Sequence, residues 1–135
     1  MTPAEELRAA AETLRQLAAD ATAGPWRQHD THLDLGGHTA TVLTDRDDIN
    51  QTELVAWVPT WSHQPWDTAR NAWNNAAYMA AMHPGVGAAL ATLLERQAKQ
   101  AAEIEQYLGD QFQEGALDQD MHDALAVARA INGQP

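Results

Sequence analysis

The chain has 135 residues, no cysteine, and a formal charge of −11 from 19 acidic and 8 basic side chains. That length fits a single domain over residues 1–135 with one core, and the missing thiols exclude disulfides, thiolate zinc sites and a cysteine nucleophile. The acidity disfavours direct binding to nucleic acid or to an anionic membrane and suits a protein partner better. Six histidines temper it, because protonating all of them would bring −11 to −5 over roughly pH 7 to 5. No apolar run of about 18 residues is present. The first residues read as an acidic helix start, not as a basic region followed by an apolar one. We therefore expect a cytoplasmic protein without a membrane partner. Apolar residues make up 44% of the chain, but many are alanine, so the core must lean on Leu, Ala and Trp.

Thr2-Pro3-Ala4-Glu5-Glu6 has the form of a capped helix start. Thr2 can cap, Pro3 suits the first helical position, and the two glutamates meet the positive end of the helix dipole. A helix over 3–21 follows, with Leu7, Ala10, Ala11, Leu14, Leu17 and Ala18 recurring at three- and four-residue spacing on one face. Gly24-Pro25 ends it. Trp26 to Leu35 reads as a strand, Gly36-Gly37 as a two-residue hairpin turn, and His38 to Leu43 as the returning strand. A polar loop over 44–52 leads to a third strand, Glu53 to Val58, stopped at Pro59, so a small antiparallel sheet occupies 26–59. Leu54-Val55-Ala56-Trp57-Val58 is apolar on both alternating faces, which predicts cover on both sides. The half-polar hairpin strands are expected on the exposed side of the sheet.

After a loop over 60–65, a second helix begins at Trp66-Asp67 with Asp67 as its cap and runs to Met82. Its Ala69, Trp73, Ala76, Ala77 and Ala80 allow another element to approach closely. His83-Pro84-Gly85 breaks the run, and Pro84 opens a third helix that continues to Leu108. There Leu90, Leu94, Gln97, Ala101, Ile104 and Leu108 follow the alternating four- and three-residue steps of a coiled-coil seam. That seam points either to a homo-oligomer through residues 86–108 or to packing on the chain's own last helix. A connection over 109–117 holds Phe112 as an anchor, and Asp118 caps a final helix reaching Ile131. The helical part thus spans 67–131. The fold class is α+β: an N-terminal helix, a small three-stranded antiparallel sheet, then three helices including a long Leu/Ala-rich one.

The order of these signals carries a resemblance. Ala21-Thr22-Ala23-Gly24-Pro25-Trp26, a glycine-turn hairpin, Asn75-Ala76-Ala77-Tyr78-Met79-Ala80-Ala81, His83-Pro84-Gly85-Val86 and a Leu-rich helix resemble small proteins of phages, prophages and actinobacteria similar to the Ead family of phage early proteins. The resemblance covers about residues 3–108. It implies a mobile-element origin, an accessory role, and a globular N-terminal part joined to an oligomerising helical part. It supplies no catalytic residues. The chain departs from that pattern in its Trp-rich stretch, Trp57 to Trp66, and in its further C-terminal helix.

Several constellations invite chemical readings. In His29-Asp30-Thr31-His32-Leu33-Asp34, with His38 across the turn, strand geometry puts Asp30, His32 and Asp34 on one face, where two carboxylates and an imidazole could hold a divalent metal. The bland reading is a solvated outer hairpin face. Asp45, Asp47, Asp48 and Asn50 alternate like a calcium loop, but Asn50 and Ala56 stand where that loop needs glycine and glutamate. Trp57 and Trp73 sit on regular elements and read as core. Trp61 and Trp66, flanking Ser62-His63-Gln64-Pro65, read as anchors of an interaction surface or as a lid over the core. Ser62, His63 and Asp67 lie too close in sequence for a hydrolytic triad. His83 is expected to cap or pack at the helix junction. No phosphate loop or dinucleotide fingerprint occurs.

The expectation is a non-enzymatic accessory protein acting through contact with a host or phage protein, without catalytic residues, cofactor or metal. Its candidate surface is Trp61, His63, Trp66, Asp45, Asp47 and Asp48. A sharper version is an acidic inhibitor that mimics DNA, with carboxylates in place of phosphates. The alternatives are a small metal-dependent hydrolase using Asp30, His32 and Asp34, and a helix-mediated assembly unit.

Overall fold

A computed structural model describes residues 1–31, 39–58 and 65–133, with the side chains of 65–70 excepted. The elements run α1 (Pro3–Asp20), β1 (Trp26–Asp30), β2 (Ala40–Thr44), β3 (Leu54–Trp57), α2 (Pro65–Ala81), α3 (Pro84–Leu108) and α4 (Gln119–Ile131), with single 3₁₀ turns at Ile49–Gln51, Gly109–Gln111 and Glu114–Ala116. The class is α+β, as the sequence predicts. The chain divides into two compact units, Met1–Ala19 with Gly87–Pro135, and Asp20–Val86. Among the described residues no single helix is long and apolar enough to cross a membrane.

In the first unit, α1 starts with a reciprocal capping box. The Glu5 N–H donates to Thr2 Oγ1 (3.2 Å) and the Thr2 N–H donates to the Glu5 carboxylate (2.8 Å). The Ala4 N–H, which no backbone carbonyl of its own helix can take, donates to Glu105 Oε1 of α3 (3.0 Å). Ala4, Leu7, Ala10 and Ala11 of α1 are buried against Ala91, Leu94, Ala98 and Ala101 of α3 and Met121, Ala124, Leu125 and Ala128 of α4. Alanine at most contact positions lets the three backbones approach closely, and Leu7, Leu94 and Leu125 fill the space left between them. Each such leucine contributes about 2–3 kcal/mol by leaving water.

The coiled-coil expectation is half met. Leu94 and Ala101 are buried in this core, and Leu90 and Ile104 pack at its margin, so the seam serves the chain's own helices. The buried stripe is Ala91, Leu94, Ala98 and Ala101, displaced from the expected Leu90–Leu108 line. Small residues can lie deepest because contact distance, not side-chain bulk, sets the interface here. Leu17, expected on the packing face of α1, is exposed. Phe112 packs at the core margin as expected. Asp118 caps α4, accepting from the Met121 N–H (2.9 Å).

Arg129 of α4 closes the unit. Its guanidinium makes paired bonds to Glu6 (2.9 and 3.2 Å) and to Glu114 (2.9 and 3.0 Å), while Asn132 Nδ2 donates to the Glu6 carbonyl (3.0 Å). Glu6 is buried, so this planar bidentate partner is what its charge requires. The hydrogen bond from Arg129 holds the Glu114 carboxyl below the ordinary carboxylate range, and Glu6 and Glu114 together raise the guanidinium further.

In the second unit the sheet order is β1-β2-β3, antiparallel throughout. β1 and β2 pair from Trp26↔Thr44 to Asp30↔Ala40; β2 pairs with β3 at Thr41↔Trp57, Val42↔Ala56 and Leu43↔Leu54, with a bulge that skips Val55. Trp26, Ala40, Val42, Ala56 and Val58 meet Ala72, Ala76 and Ala80 of α2, spaced four residues apart on one helix face. Gln28 ties β1 to that helix, its amide donating to the Trp73 carbonyl (2.8 Å).

The sheet corrects three expectations. β3 is the edge strand, and Leu54 and Trp57 are 58% and 53% exposed; among the described residues its two apolar faces do not find two covers, because α2 is the one helix that packs on the sheet there. β2, expected on the exposed side, is the central strand, with Thr41, Val42 and Thr44 buried. Trp73, expected in the core, is 42% exposed, its place in the α2 stripe taken by Ala72. The helix itself begins at Pro65, so Asp67 stands inside its first turn and not at the cap position. The predicted strand to Leu35, the Gly36-Gly37 turn and His38 lie outside the described residues.

His83 behaves as expected, and its packing explains the glycines around it. Its Nδ1 accepts the Gly85 N–H (3.1 Å) ahead of α3, and a Cβ added at Gly24 or Gly85 would come within 2.6 or 2.7 Å of the imidazole. The ring is therefore held between two glycines. The Ala-Gly-Pro-Trp and His-Pro-Gly stretches, about sixty residues apart in sequence, form one junction.

Two outcomes follow for folding. Gly24→Ala should cost about 1–3 kcal/mol by overpacking, and most of that loss should vanish in a His83→Ala background, as a double-mutant cycle in urea would read. Arg129→Met, which strands Glu6, should cost about 2–3 kcal/mol. Because the folded-state pKa of Glu114 is lowered, its contribution is present above the ordinary carboxylate range and lost as pH falls through the lowered value. The stability–pH curve of Arg129→Met should lack that acid-side decline.

Candidate functional site

Strand alternation and the pairing register place Arg27, His29, Thr41, Leu43, Leu54 and Trp57 on the sheet face turned away from α2. Arg27 and His29 are joined side chain to side chain (3.2 Å), and Arg27 Nε lies 3.8 Å from Asp45. Thr41, buried between them and β3, donates its hydroxyl to the His29 carbonyl (2.9 Å) and bonds Thr31. Leu43 is half-buried, and beyond it Leu54 and Trp57 stand largely in solvent. The result is a small polar anchor beside an apolar ridge on the edge strand.

The acidic loop borders this face and is more ordered in its bonding than a solvated connection needs to be. Asp48 accepts from the Asn50 N–H (2.9 Å), capping the 3₁₀ turn at Ile49–Gln51. Arg46 turns back to the Gly24-Pro25 corner, donating to the carbonyls of Ala23 (2.9 Å) and Asp45 (3.0 Å), while the Asp45 N–H donates to the Pro25 carbonyl (2.8 Å). Consuming the one basic side chain of 44–52 in this way leaves Asp45, Asp47 and Asp48 exposed. Ile49, between them and β3, is 84% exposed.

Of the surface predicted from sequence, the structure therefore places Asp45, Asp47 and Asp48. Trp61 and His63 lie outside the described residues, and Trp66 is placed only as the second residue of α2. Of the Asp30, His32 and Asp34 cluster, Asp30 accepts the Thr39 N–H (3.0 Å) across the end of the hairpin; His32 and Asp34 lie outside the described residues. Among the described residues no three His, Asp or Glu side chains are grouped to hold a metal ion. Sequence reasoning assigned Trp57 to the core and passed over Leu54. The available signal was the shortness of the sheet, since three strands with one covering helix cannot bury both faces of an edge strand.

No family model, curated protein or solved structure matches the chain.

If Trp57 belongs to a surface and not to the core, Trp57→Thr, which keeps strand propensity, should change unfolding free energy by no more than about 0.5 kcal/mol. Urea denaturation followed by far-UV circular dichroism measures this directly.

Proposed function

We propose that this protein acts by docking to another protein through the outer face of its sheet, with Leu54 and Trp57 as apolar anchors and Asp45, Asp47 and Asp48 as an acidic rim. The observation that carries this reading is the exposure of a tryptophan and a leucine side by side with bonded, positioned polar groups. Exposed aromatic anchors are what interface energetics concentrate on. The rim favours a partner that surrounds an apolar socket with Lys or Arg. Trp61, His63 and Trp66, the aromatic candidates read from sequence, follow β3 directly in the chain. The resemblance to phage early proteins supports an accessory role in a mobile element, with a host or phage protein as partner, and no catalytic step is invoked.

The sharper version, an acidic body standing in for DNA, draws less support. The 19 acids divide as 11 in the first unit and 8 in the second, and many serve caps or ion pairs: Glu5, Glu105, Asp48 and Asp118 bind backbone N–H groups, and Glu6, Glu95 and Glu114 pair with arginines. A phosphate mimic needs its carboxylates free and aligned. The apolar ridge, not the net charge, is the basis of the present reading.

The test is affinity capture from the host cell followed by calorimetry with the purified partner. Trp57→Thr should weaken binding by about 30-fold or more, as for a hot-spot residue, and added salt should weaken it further by screening the rim. Unchanged affinity in Trp57→Thr and in Leu54→Thr would overturn the reading.

A further inference from the structure

The core of the first unit uses only part of α3. Ala91, Leu94, Ala98 and Ala101 face α1 and α4, and the next stripe round the helix remains largely uncovered: Leu93 is 49% exposed, Tyr107 89% exposed, and Gln100 lies exposed between them. Leu90, Gln97 and Ile104, half-buried, form its inner margin. Leu90, Leu93, Gln97, Gln100, Ile104 and Tyr107 step by three and four residues, the a and d positions of a heptad. This is a different line from the one that sequence alone suggested, because Leu94 and Ala101 are already taken by the core.

We infer that two copies of this chain pair antiparallel along this stripe of α3. Three features make the face self-complementary. A two-fold axis midway between Gln97 and Gln100 sets Leu90 against Tyr107, Leu93 against Ile104, and Gln97 against Gln100 of the second copy, so every seam position meets a seam position. A groove of about 540 Å³, with Ile104, Tyr107, Leu108, Ala116 and Met121 as its apolar lining and Gln100, Glu103 and Asp118 as its polar lining, lies where Leu93 of the second copy arrives, giving a hole for that knob at both ends of the pair. The residues flanking the seam are Arg96 and Glu103. Under the same axis each Arg96 comes within about 3 Å, measured along the helix, of Glu103 of the second copy, two residues at about 1.5 Å each.

Charge supports this occupant over an unrelated helix. Two bodies each carrying −11 repel in general, but the seam itself is uncharged and its border carries one base and one acid that exchange partners across the axis. In an antiparallel pair these flanking positions face each other, whereas in a parallel pair they would face Leu94 and Ala101, which the core already occupies.

Sedimentation of the intact chain across a wide concentration range tests the inference, with far-UV circular dichroism as the control for folding. The wild type should self-associate to a dimer. Leu93→Asp, at an exposed position, should stay folded and raise the dissociation constant by about 100-fold or more. Arg96→Glu should raise it by about tenfold through two like-charge contacts, and adding Glu103→Arg should restore it to within about threefold of wild type. A wild type that remains monomeric at all concentrations overturns the inference, as does a Leu93→Asp dimer of unchanged strength. A charge exchange that fails to restore association overturns the antiparallel register. Loss of the dimer in Trp57→Thr but not in Leu93→Asp would place self-association on the sheet and likewise overturn it.

Discussion

Close approach of backbones across alanine is the constraint on which this molecule depends. The chain has one phenylalanine and two tyrosines, and Trp57 and Trp73 of its five tryptophans stand largely outside the core, so burial must come from short distances. In the first unit, eight of the thirteen buried core residues are alanine, and α1, α3 and α4 interlock around Leu7, Leu94 and Leu125. In the second, Ala72, Ala76 and Ala80 let α2 lie on the sheet over Val42 and Ala56. Thin contacts of this kind gain less from hydrophobic transfer per residue than leucine-rich ones. They are correspondingly sensitive to anything that spreads the helices, which is why the starts of α1, α3 and α4 and the buried Glu6 are satisfied so fully.

The polar bonding follows from that sensitivity. Thr2, Glu5 and Glu105 together satisfy the first turn of α1, and Arg129 neutralises Glu6 where it is buried while gathering Glu114 from the preceding turn. Part of the acidity that gives the chain its low isoelectric point is thus used locally. Asp45, Asp47 and Asp48 differ in remaining exposed, because Arg46 is committed to the Ala23–Pro25 corner. Exposed acids, Leu54 and Trp57 fall on the same unit, and the functional reading rests on that coincidence.

Much of this was legible in the sequence, and the failures share one cause. Helix ends were readable because they are local: Thr2, Gly24-Pro25, Pro84 and Asp118 each act within a turn of themselves, and α3 and α4 end where their residues say they should. The Ala-Gly-Pro-Trp and His-Pro-Gly stretches, which carry the family resemblance, are scaffold in physical terms, two sides of the pocket around the His83 ring. What sequence could not give was burial. Trp57 and Trp73 read as core because they are large and apolar, yet alanines occupy the contact positions and the tryptophans are left outside. The seam on α3 was displaced for the same reason, since the deepest line belongs to Ala91, Ala98 and Ala101. For the candidate site, composition pointed to the acidic loop, but the position of the apolar ridge depended on which strand lies at the edge, and that is a property of pairing across the sheet.

The central claim is that the chain holds two separate alanine-floored cores, each closed within its own unit. All five tryptophans, at positions 26, 57, 61, 66 and 73, lie in the Asp20–Val86 unit, whereas most of α1, α3 and all of α4 lie in the other. Urea unfolding of Leu94→Ala, followed in one sample by tryptophan fluorescence and by far-UV circular dichroism, therefore reads the two cores apart. The account predicts that the circular dichroism transition loses about 2–5 kcal/mol, the usual cost of a buried Leu→Ala cavity, while the fluorescence midpoint stays where it is in the wild type. A fluorescence transition that moves down in step with the circular dichroism would show a single shared core and contradict it.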